Sequence, residues 1–347
     1  MLKILDNDRY KIGRSSDYNF NFDKQTGYFE RWGITKEDDP QLCEYGPEIL
    51  DIEITTICNG VKQPNGKESP CLFCYKNNTS IGKNMSFKTF KCIIDKFPKT
   101  LTQIAFGADS HATSNPDLWK MMEYSRSIGV IPNITVADIS EETADKLSQY
   151  CGAVAISRYT NKDLCYDSVK RLTDRGMDQI NIHMLVSSET EDMVWETLQD
   201  RLIDPRLEKL NAIVLLSLKK KGRGHSYNIL PVIKFNAIIN FALNNNIKIG
   251  FDSCSCQKFL NGIQSRDNYE LLNTFCEPCE SSLMSFFVDV NGYGFPCSFT
   301  QGNTEWTDGI NMVDCTNFIK DVWFHKKIHT FRQSLLNNNR NCIIYNI

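Results

Sequence analysis

The chain has 347 residues, 41% of them hydrophobic, enough to fill an α/β barrel with a small further domain. Lys and Arg number 39 against 42 acids, a net charge of −3, so nothing draws the chain generally to nucleic acid or to an anionic membrane. No run reaches the length of a membrane span, and residues 1–6 lack the apolar stretch of a signal peptide, so the expected location is the cytoplasm. Residues 1–49 are polar and aromatic. Residues 18–22 alternate, 23–27 turn and 28–32 follow, which predicts a β-hairpin packed on the rest of the chain. From residue 50 strands and helices alternate. The strands are expected at 50–56, 102–107, 133–137, 153–157, 179–186 and 212–218. Ser86 can cap a helix over 87–97, residues 116–128 carry apolar residues at helix spacing, and Ser140 can open 141–149. Ser188, Glu189, Thr190 and Glu191 match a capping box for 189–199, and residues 231–243 form a further helix. Six strands, each followed by a helix, imply a parallel sheet with right-handed crossovers. Six units fall short of the eight that close a barrel, so the predicted fold is α/β, an open, partial (β/α)6 TIM-like barrel. Residues 247–252 are a further strand candidate. Beyond Cys254 the alternation stops, and a cysteine-rich tail with Gly292, Gly294 and Pro296 reads as a small irregular domain built around metal.

Fourteen cysteines are many for such a chain. In a cytosol they stay reduced, so disulfides explain them poorly. Cys43, Cys92, Cys151 and Cys165 are scattered and read as core thiols. Cys254, Cys256, Cys276, Cys279, Cys297, Cys315 and Cys342 crowd the tail, and that clustering argues for metal. Cys58, Cys71 and Cys74 come just after the first barrel strand, at the edge where open α/β sheets place their chemistry. Three thiolates leave one iron of a [4Fe–4S] cube open to a small molecule, whereas four close the site. Residues 59–70, between Cys58 and Cys71, include Gly60, Pro64, Asn65, Gly66 and Pro70, which let a loop bulge out and bring its ends back together.

The strand followed by Cys58, then Cys71-Leu72-Phe73-Cys74-Tyr75, resembles the radical S-adenosylmethionine (SAM) superfamily, whose usual signature is Cys-x3-Cys-x2-Cys with an aromatic beside the last cysteine. The twelve residues between Cys58 and Cys71 depart from that spacing. Phe106-Gly107-Ala108-Asp109-Ser110 stands where the family has a Gly-Gly-Glu-Pro-type turn that meets the SAM amino group. Gly107 and Asp109 match in position, and Ala108 and Ser110 depart. The resemblance places Ser157 and Arg158, at the end of the fourth strand, on the SAM ribose or carboxylate. The tail, with Cys279, then Gly292 and four residues later Cys297, is similar to the start of a SPASM auxiliary-cluster domain. The family's later dense cysteine run is absent, which fits a single auxiliary [4Fe–4S] cluster, as in the twitch variant. Its expected ligands are Cys254, Cys279, Cys297 and Cys342, with Cys256 or Cys276 able to replace one and Cys315 a bystander. The implied organisation is an N-terminal hairpin-containing extension (1–49), a radical SAM partial-barrel core (50–250) and a SPASM/twitch-like auxiliary-cluster domain (251–347).

The resemblance implies a cluster held by Cys58, Cys71 and Cys74 that binds SAM and cleaves it reductively, giving a 5′-deoxyadenosyl radical that abstracts hydrogen from a substrate. Leu72 and Phe73 would shield that cluster. The implied substrate is a peptide or protein, and the implied partner an electron donor such as flavodoxin or ferredoxin. A small-molecule substrate is the first alternative. The second is a non-catalytic binding protein stabilised by a four-cysteine zinc site, since Cys71-x2-Cys74 and Cys276-x2-Cys279 both have knuckle spacing. Asp109 also has a bland reading as a helix cap. The basic run from Lys219 to His225 either holds a carboxylate of SAM or substrate or is a solvated loop. His111, His183, His325 and His329 form no ligand constellation and receive no role.

Overall fold

The computed structural model of the chain describes residues 1–63, 65–107 and 114–347. Four antiparallel strands, β1 (Lys3–Asp6), β2 (Tyr10–Arg14), β3 (Asn19–Asp23) and β4 (Phe29–Trp32), form an N-terminal sheet in chain order. β3 and β4 are the hairpin expected from the alternation, with β1 and β2 added ahead of it. This sheet sits under the entry ends of the barrel strands. The Lys11 ammonium donates to Leu101 O at 2.7 Å, and the Tyr18 hydroxyl donates to the buried Glu48 carboxylate. Glu48 directly precedes one barrel strand and Leu101 lies two residues before another, so the contact closes the bottom of the barrel.

β5 (Ile49–Glu53) leads into a loop that carries its own two-stranded hairpin, β6 (Val61–Lys62) with β7 (Glu68–Ser69). Then follow α1 (Phe87–Ile94), β8 (Gln103–Gly107), α2 (Leu118–Ser127), β9 (Ile131–Val136), α3 (Glu141–Tyr150), β10 (Ala153–Ser157), α4 (Lys162–Thr173), β11 (Ile180–Val186), α5 (Glu191–Ile203), β12 (Ala212–Ser217), α6 (Val232–Asn244) and β13 (Ile249–Phe251). All six expected strands are present, β13 adds a seventh, and neighbours pair in parallel from β5 through β13. The sheet is open, and among the described residues it forms no closed barrel. Its helix-facing residues are the core: Leu50, Ile52, Ile104, Phe106, Ile156 and Ile182 are each at most 2% exposed. The opposite face is concave and polar, with Gln103 and Asn133 joined side chain to side chain at 2.9 Å.

Ser86 and Ser140 cap α1 and α3 as expected, each accepting from the backbone N–H three residues on. The capping box at α5 does not form. The Thr190 hydroxyl turns back to donate to Leu185 O at 2.7 Å, so the helix begins at Glu191. Glu189 instead accepts from the Asn228 backbone N–H at 3.0 Å and fastens the segment after β12.

The tail continues with α7 (Cys256–Ile263), α8 (Tyr269–Asn273), β14 (Ser285–Val288), β15 (Tyr293–Phe295), β16 (Ile310–Asn311) and α9 (Lys326–Asn337). β14 pairs in parallel with β5, Phe286 opposite Leu50, and β15 and β16 extend the sheet antiparallel. The tail is thus continuous with the barrel sheet. Arg31 adds a second tie, reaching Glu48 at 3.2 Å, Glu277 at 3.0 Å and Glu280 at 3.2 Å from a largely buried side chain. Among the described residues no helix is long and apolar enough to cross a membrane.

Candidate functional site

The exit edge of β5 carries the first cysteine group. Glu53 ends the strand and Cys58 follows on the loop. The β6–β7 hairpin folds residues 59–70 back on themselves, with Gln63 N donating to Lys67 O at 2.8 Å across a turn whose Gly66 has a φ of 78°. Gly60, with a φ of 97°, lets the two legs of the loop touch: a Cβ there would lie 2.6 Å from Pro70 N and nearer still to the Ser69 carbonyl. That close approach brings Cys71 back beside Cys58 despite the long insert. Burial, followed by the neighbouring Cys74 and Cys58 sulfurs, pushes the Cys71 thiol up to about 11. A Tyr159 hydrogen bond and the Arg223 guanidinium pull the other way. The Gly60 N–H donates to Cys58 Sγ at 3.3 Å.

Tyr159 is a residue that the sequence did not single out. Ser157 ends β10 on the concave face, in register with His183 of β11. Tyr159, two residues on, shares that side and its hydroxyl engages both Ser157 and Cys71. Its ring stacks on Phe73 at 5.8 Å, and Tyr227 meets Phe73 edge-on at 5.7 Å. Phe73 is therefore packed among aromatics, while Leu72 is 67% exposed and shields little. His183 faces the same lumen, and burial pushes its imidazole down to about 4, so it is neutral near pH 7.

Arg158 goes elsewhere. It continues the helix-facing column of Val154 and Ile156, lies over the Tyr166 ring of α4, and pairs with Glu196 of α5 at 2.6 Å. Its expected place on SAM is corrected: one residue past Ser157, the strand's alternation aims the side chain into the helix layer. Gly107 ends β8 opposite Glu53 in register. Ala108 and Asp109 lie outside the described residues.

Lys219, Lys221 and Arg223 of the basic run are bound to protein groups, while Lys220 and His225 are exposed. Arg223 donates to Cys71 O at 2.8 Å and to Asn78 O at 3.2 Å, and its own N–H donates to Cys74 O at 3.0 Å. It clasps the backbone of the cysteine loop. Lys221 donates to the carbonyls of Ser298, Phe299 and Gln301, at 3.3, 3.2 and 2.6 Å, and so fastens the tail. Between the cysteine loop and the tail lies a cavity of about 380 Å³ lined by Glu53, Lys76, Asn77, Lys221, Asn291 and Gln301, among others. Lys76 pairs with Glu53 at 3.0 Å and reaches Gln301 at 2.6 Å.

A second cavity is lined by Cys254, Cys279, Cys297 and Cys342, the four residues expected from the tail. Each arrives on a different element. Cys254 sits in the tight turn Ser253–Ser255 after β13, and Cys297 follows β15. Cys279 precedes β14. Asn339 and Arg340, at φ 52° and 57°, turn the chain out of α9 and deliver Cys342. Arg340 locks that arrival, since Cys279 N donates to Arg340 O at 3.2 Å and Arg340 Nε donates back to Cys279 O at 3.1 Å. Cys279 Sγ meets the Ser281 hydroxyl at 3.3 Å, and the Tyr345 N–H donates to Cys342 Sγ at 3.4 Å. Hydrogen bonds to Cys279 and Cys342 push the Cys254 thiol up, and the same bonds pull both of these down. Cys256 and Cys276 do not line this cavity; they lie against each other. Cys315 is also apart, its Sγ at 3.3 Å from Met312 O. Cys43, Cys151 and Cys165 are buried core thiols, whereas Cys92 is only half-buried.

Among the described residues no three His, Cys, Asp or Glu side chains are drawn together tightly enough for a single metal ion. The four-cysteine zinc arrangement is not assembled, because Cys276 turns to Cys256 and Cys279 to the second cavity. Thiols spread around a cavity suit a multi-iron cluster in donor type, with the Tyr345 N–H aimed at Cys342 Sγ as such clusters use it. The two cysteine groups are neighbours: Tyr75, next to Cys74, lies 4.5 Å from Phe299, which lines the second cavity.

The partial barrel with cysteines on the loop after its first strand is a fold shared with solved structures. The structure of SuiB from Streptococcus suis matches with a TM-score of 0.61 over 83% of this chain and 68% of SuiB, at 12% identity. SuiB bound to S-adenosylmethionine matches with a TM-score of 0.59 over 82% of this chain and 65% of SuiB, at 13% identity. The chain thus spans about two thirds of the length of SuiB. No family profile and no curated protein matches the sequence.

Proposed function

We propose that the chain is a radical SAM enzyme that modifies a peptide or protein. The observation that carries the reading is the group of Cys58, Cys71 and Cys74 on the loop after the first strand of a partial barrel with the SuiB fold. When bound there, a [4Fe–4S] cluster supplies the electron that splits SAM into methionine and a 5′-deoxyadenosyl radical. The chain's own residues do the rest. The hairpin closed at Gly60 sets the spacing of the thiolates, and Arg223 fixes the loop's carbonyls. Tyr159 donates toward Cys71 and orients it, and the Phe73, Tyr159 and Tyr227 rings keep water from the loop. Ser157 and Gly107 stand at the same edge for SAM. Cys254, Cys279, Cys297 and Cys342 would hold a second [4Fe–4S] cluster in a SPASM/twitch-like arrangement.

The peptide reading is supported by the 380 Å³ cleft beside the cysteine loop, whose lining includes Asn77, Asn78, Asn291 and Gln301. Primary amides match the paired donor and acceptor of a peptide group. A flavodoxin or ferredoxin is the proposed reductant, in a cytoplasmic setting. The decisive experiment changes Cys58, Cys71 and Cys74 together to Ala. After anaerobic reconstitution, 5′-deoxyadenosine formation from SAM should vanish and iron should fall by roughly half, as two four-iron sites require. Retained 5′-deoxyadenosine with unchanged iron would refute the assignment. A short open reading frame beside the gene would supply the peptide for a mass-shift assay.

A further inference from the structure

Lys219 leaves the exit end of β12 and places its ammonium in the wall of the four-thiol cavity. Its side chain is 4% exposed, it is paired with the Asp252 carboxylate, and its Nζ lies 4.9 Å from the Phe299 ring centre. Among the described residues lining that cavity it is the one Lys or Arg, and the other walls include Phe299, Phe331, Leu335 and Ile343. A buried ammonium is costly unless it has a partner. Asp252 is one partner, and it also accepts from Ser217 N at 3.3 Å and from the Ser255 hydroxyl. Four thiolates on the cavity side would be the other.

We infer that Lys219 sets the reduction potential of the cluster held by Cys254, Cys279, Cys297 and Cys342, raising it against the apolar walls. The inference rests on the second cluster proposed above. Reduction adds one electron to an already anionic four-thiolate cluster and makes or breaks no bond. Apolar walls oppose the added negative charge, whereas a fixed ammonium in the same low-dielectric wall favours it, because Coulomb interactions are weakly screened there. Asp252 partly cancels that ammonium, so removing either partner should move the potential, and in opposite directions. A lysine that merely held β12 to the Asp252 turn would leave the potential where it is.

The test uses the full-length chain, reconstituted anaerobically with iron and sulfide and titrated with dithionite and mediators under spectroscopic monitoring. The same titration in the Cys58→Ala/Cys71→Ala/Cys74→Ala chain identifies the tail wave. Lys219→Met should shift that wave to a more negative potential, Lys219→Arg should restore it close to native, and Asp252→Asn should shift it to a more positive one. Iron content and the melting midpoint are measured alongside. A tail wave that stays in place in Lys219→Met at native iron content overturns the inference. If Lys219→Met fails to hold iron, an unshifted wave in Asp252→Asn overturns it instead. If the triple-alanine chain carries no tail iron at all, the second cluster itself is wrong and the role of Lys219 falls with it.

Discussion

Gly60→Ala tests how the chain compensates for the twelve residues between Cys58 and Cys71. Two costs fall on the added methyl. The φ of 97° is in the half of conformational space that L-residues avoid, a penalty of roughly 1–2 kcal/mol. The new Cβ would also lie 2.6 Å from Pro70 N, where ordinary contact begins at 3.4 Å. The leg of the loop holding Ser69 and Pro70 must therefore retreat by roughly 1 Å, and Cys71 moves with it. The β6–β7 hairpin has two residues per strand and is outside the barrel sheet, so it has little stability of its own to absorb this. The closed arrangement should fall about 5–30-fold in population relative to open ones, and apparent SAM affinity should weaken by the same factor. The global fold should hardly notice. The assay is paired: SAM dissociation constant and iron content on reconstituted protein, melting midpoint on apoprotein. Native SAM affinity and full iron would show that closure at Gly60 does not set the thiol spacing. A large drop in the melting midpoint would show that the hairpin is part of the global fold.

Two further perturbations separate structure from site. Arg158→Met removes a buried guanidinium from Glu196, which is 45% exposed and stays hydrated, so stability should fall by on the order of 1–2 kcal/mol with SAM affinity unchanged; weakened SAM binding at native stability would return Arg158 to the ligand. Glu48 is fully buried beside Arg31, and burial, opposed chiefly by that guanidinium, raises its carboxyl to about 7. The unfolded acid releases its proton near 4.5 while the folded one keeps it until about pH 7, so this group's contribution is present below pH 4.5 and lost as the pH rises to 7. Glu48→Gln should flatten that part of the melting-midpoint profile, and a native profile that does not fall relative to the variant across this window would reject the shift.

The barrel was legible because parallel strands covered by helices read as apolar, β-branched runs: residues 179–186 announce β11 with no need of a partner. The strands of the tail carry no such signal. β14 has four residues and β15 three, too few for a period, and the pairing of β14 with β5 depends on residues more than two hundred positions away. The sequence of β15, Tyr293-Gly294-Phe295, lies inside a Gly-rich stretch that reads as a turn, although it is a strand that delivers Cys297. Cysteine crowding pointed to seven tail residues, and the structure brings Cys254, Cys279, Cys297 and Cys342 of them around one cavity. Ser157 and Arg158 show where spacing alone says too little. Both are polar, Ser157 as the last residue of β10 and Arg158 as the next, but a period of two sends neighbours to opposite faces, and only the helix contacts show which face is which.

The residues after β12 explain why charge alone misled. A run of Lys and Arg is usually a solvated face, and nothing local distinguishes Lys219 from Lys220. In the fold these neighbours have different surroundings: Lys219 is 6% exposed against Asp252 and the thiol cavity, while Lys220 remains exposed. Lys221 then fastens the tail carbonyls and Arg223 the carbonyls of the cysteine loop. One short segment thus meets both cysteine groups and the seam between them. Gly222 makes this possible with a φ of 56° and a close approach to the carbonyls of Cys74 and Tyr75, where a Cβ would lie 2.6 and 2.7 Å away. This one segment therefore holds backbone carbonyls of both the cysteine loop and the tail.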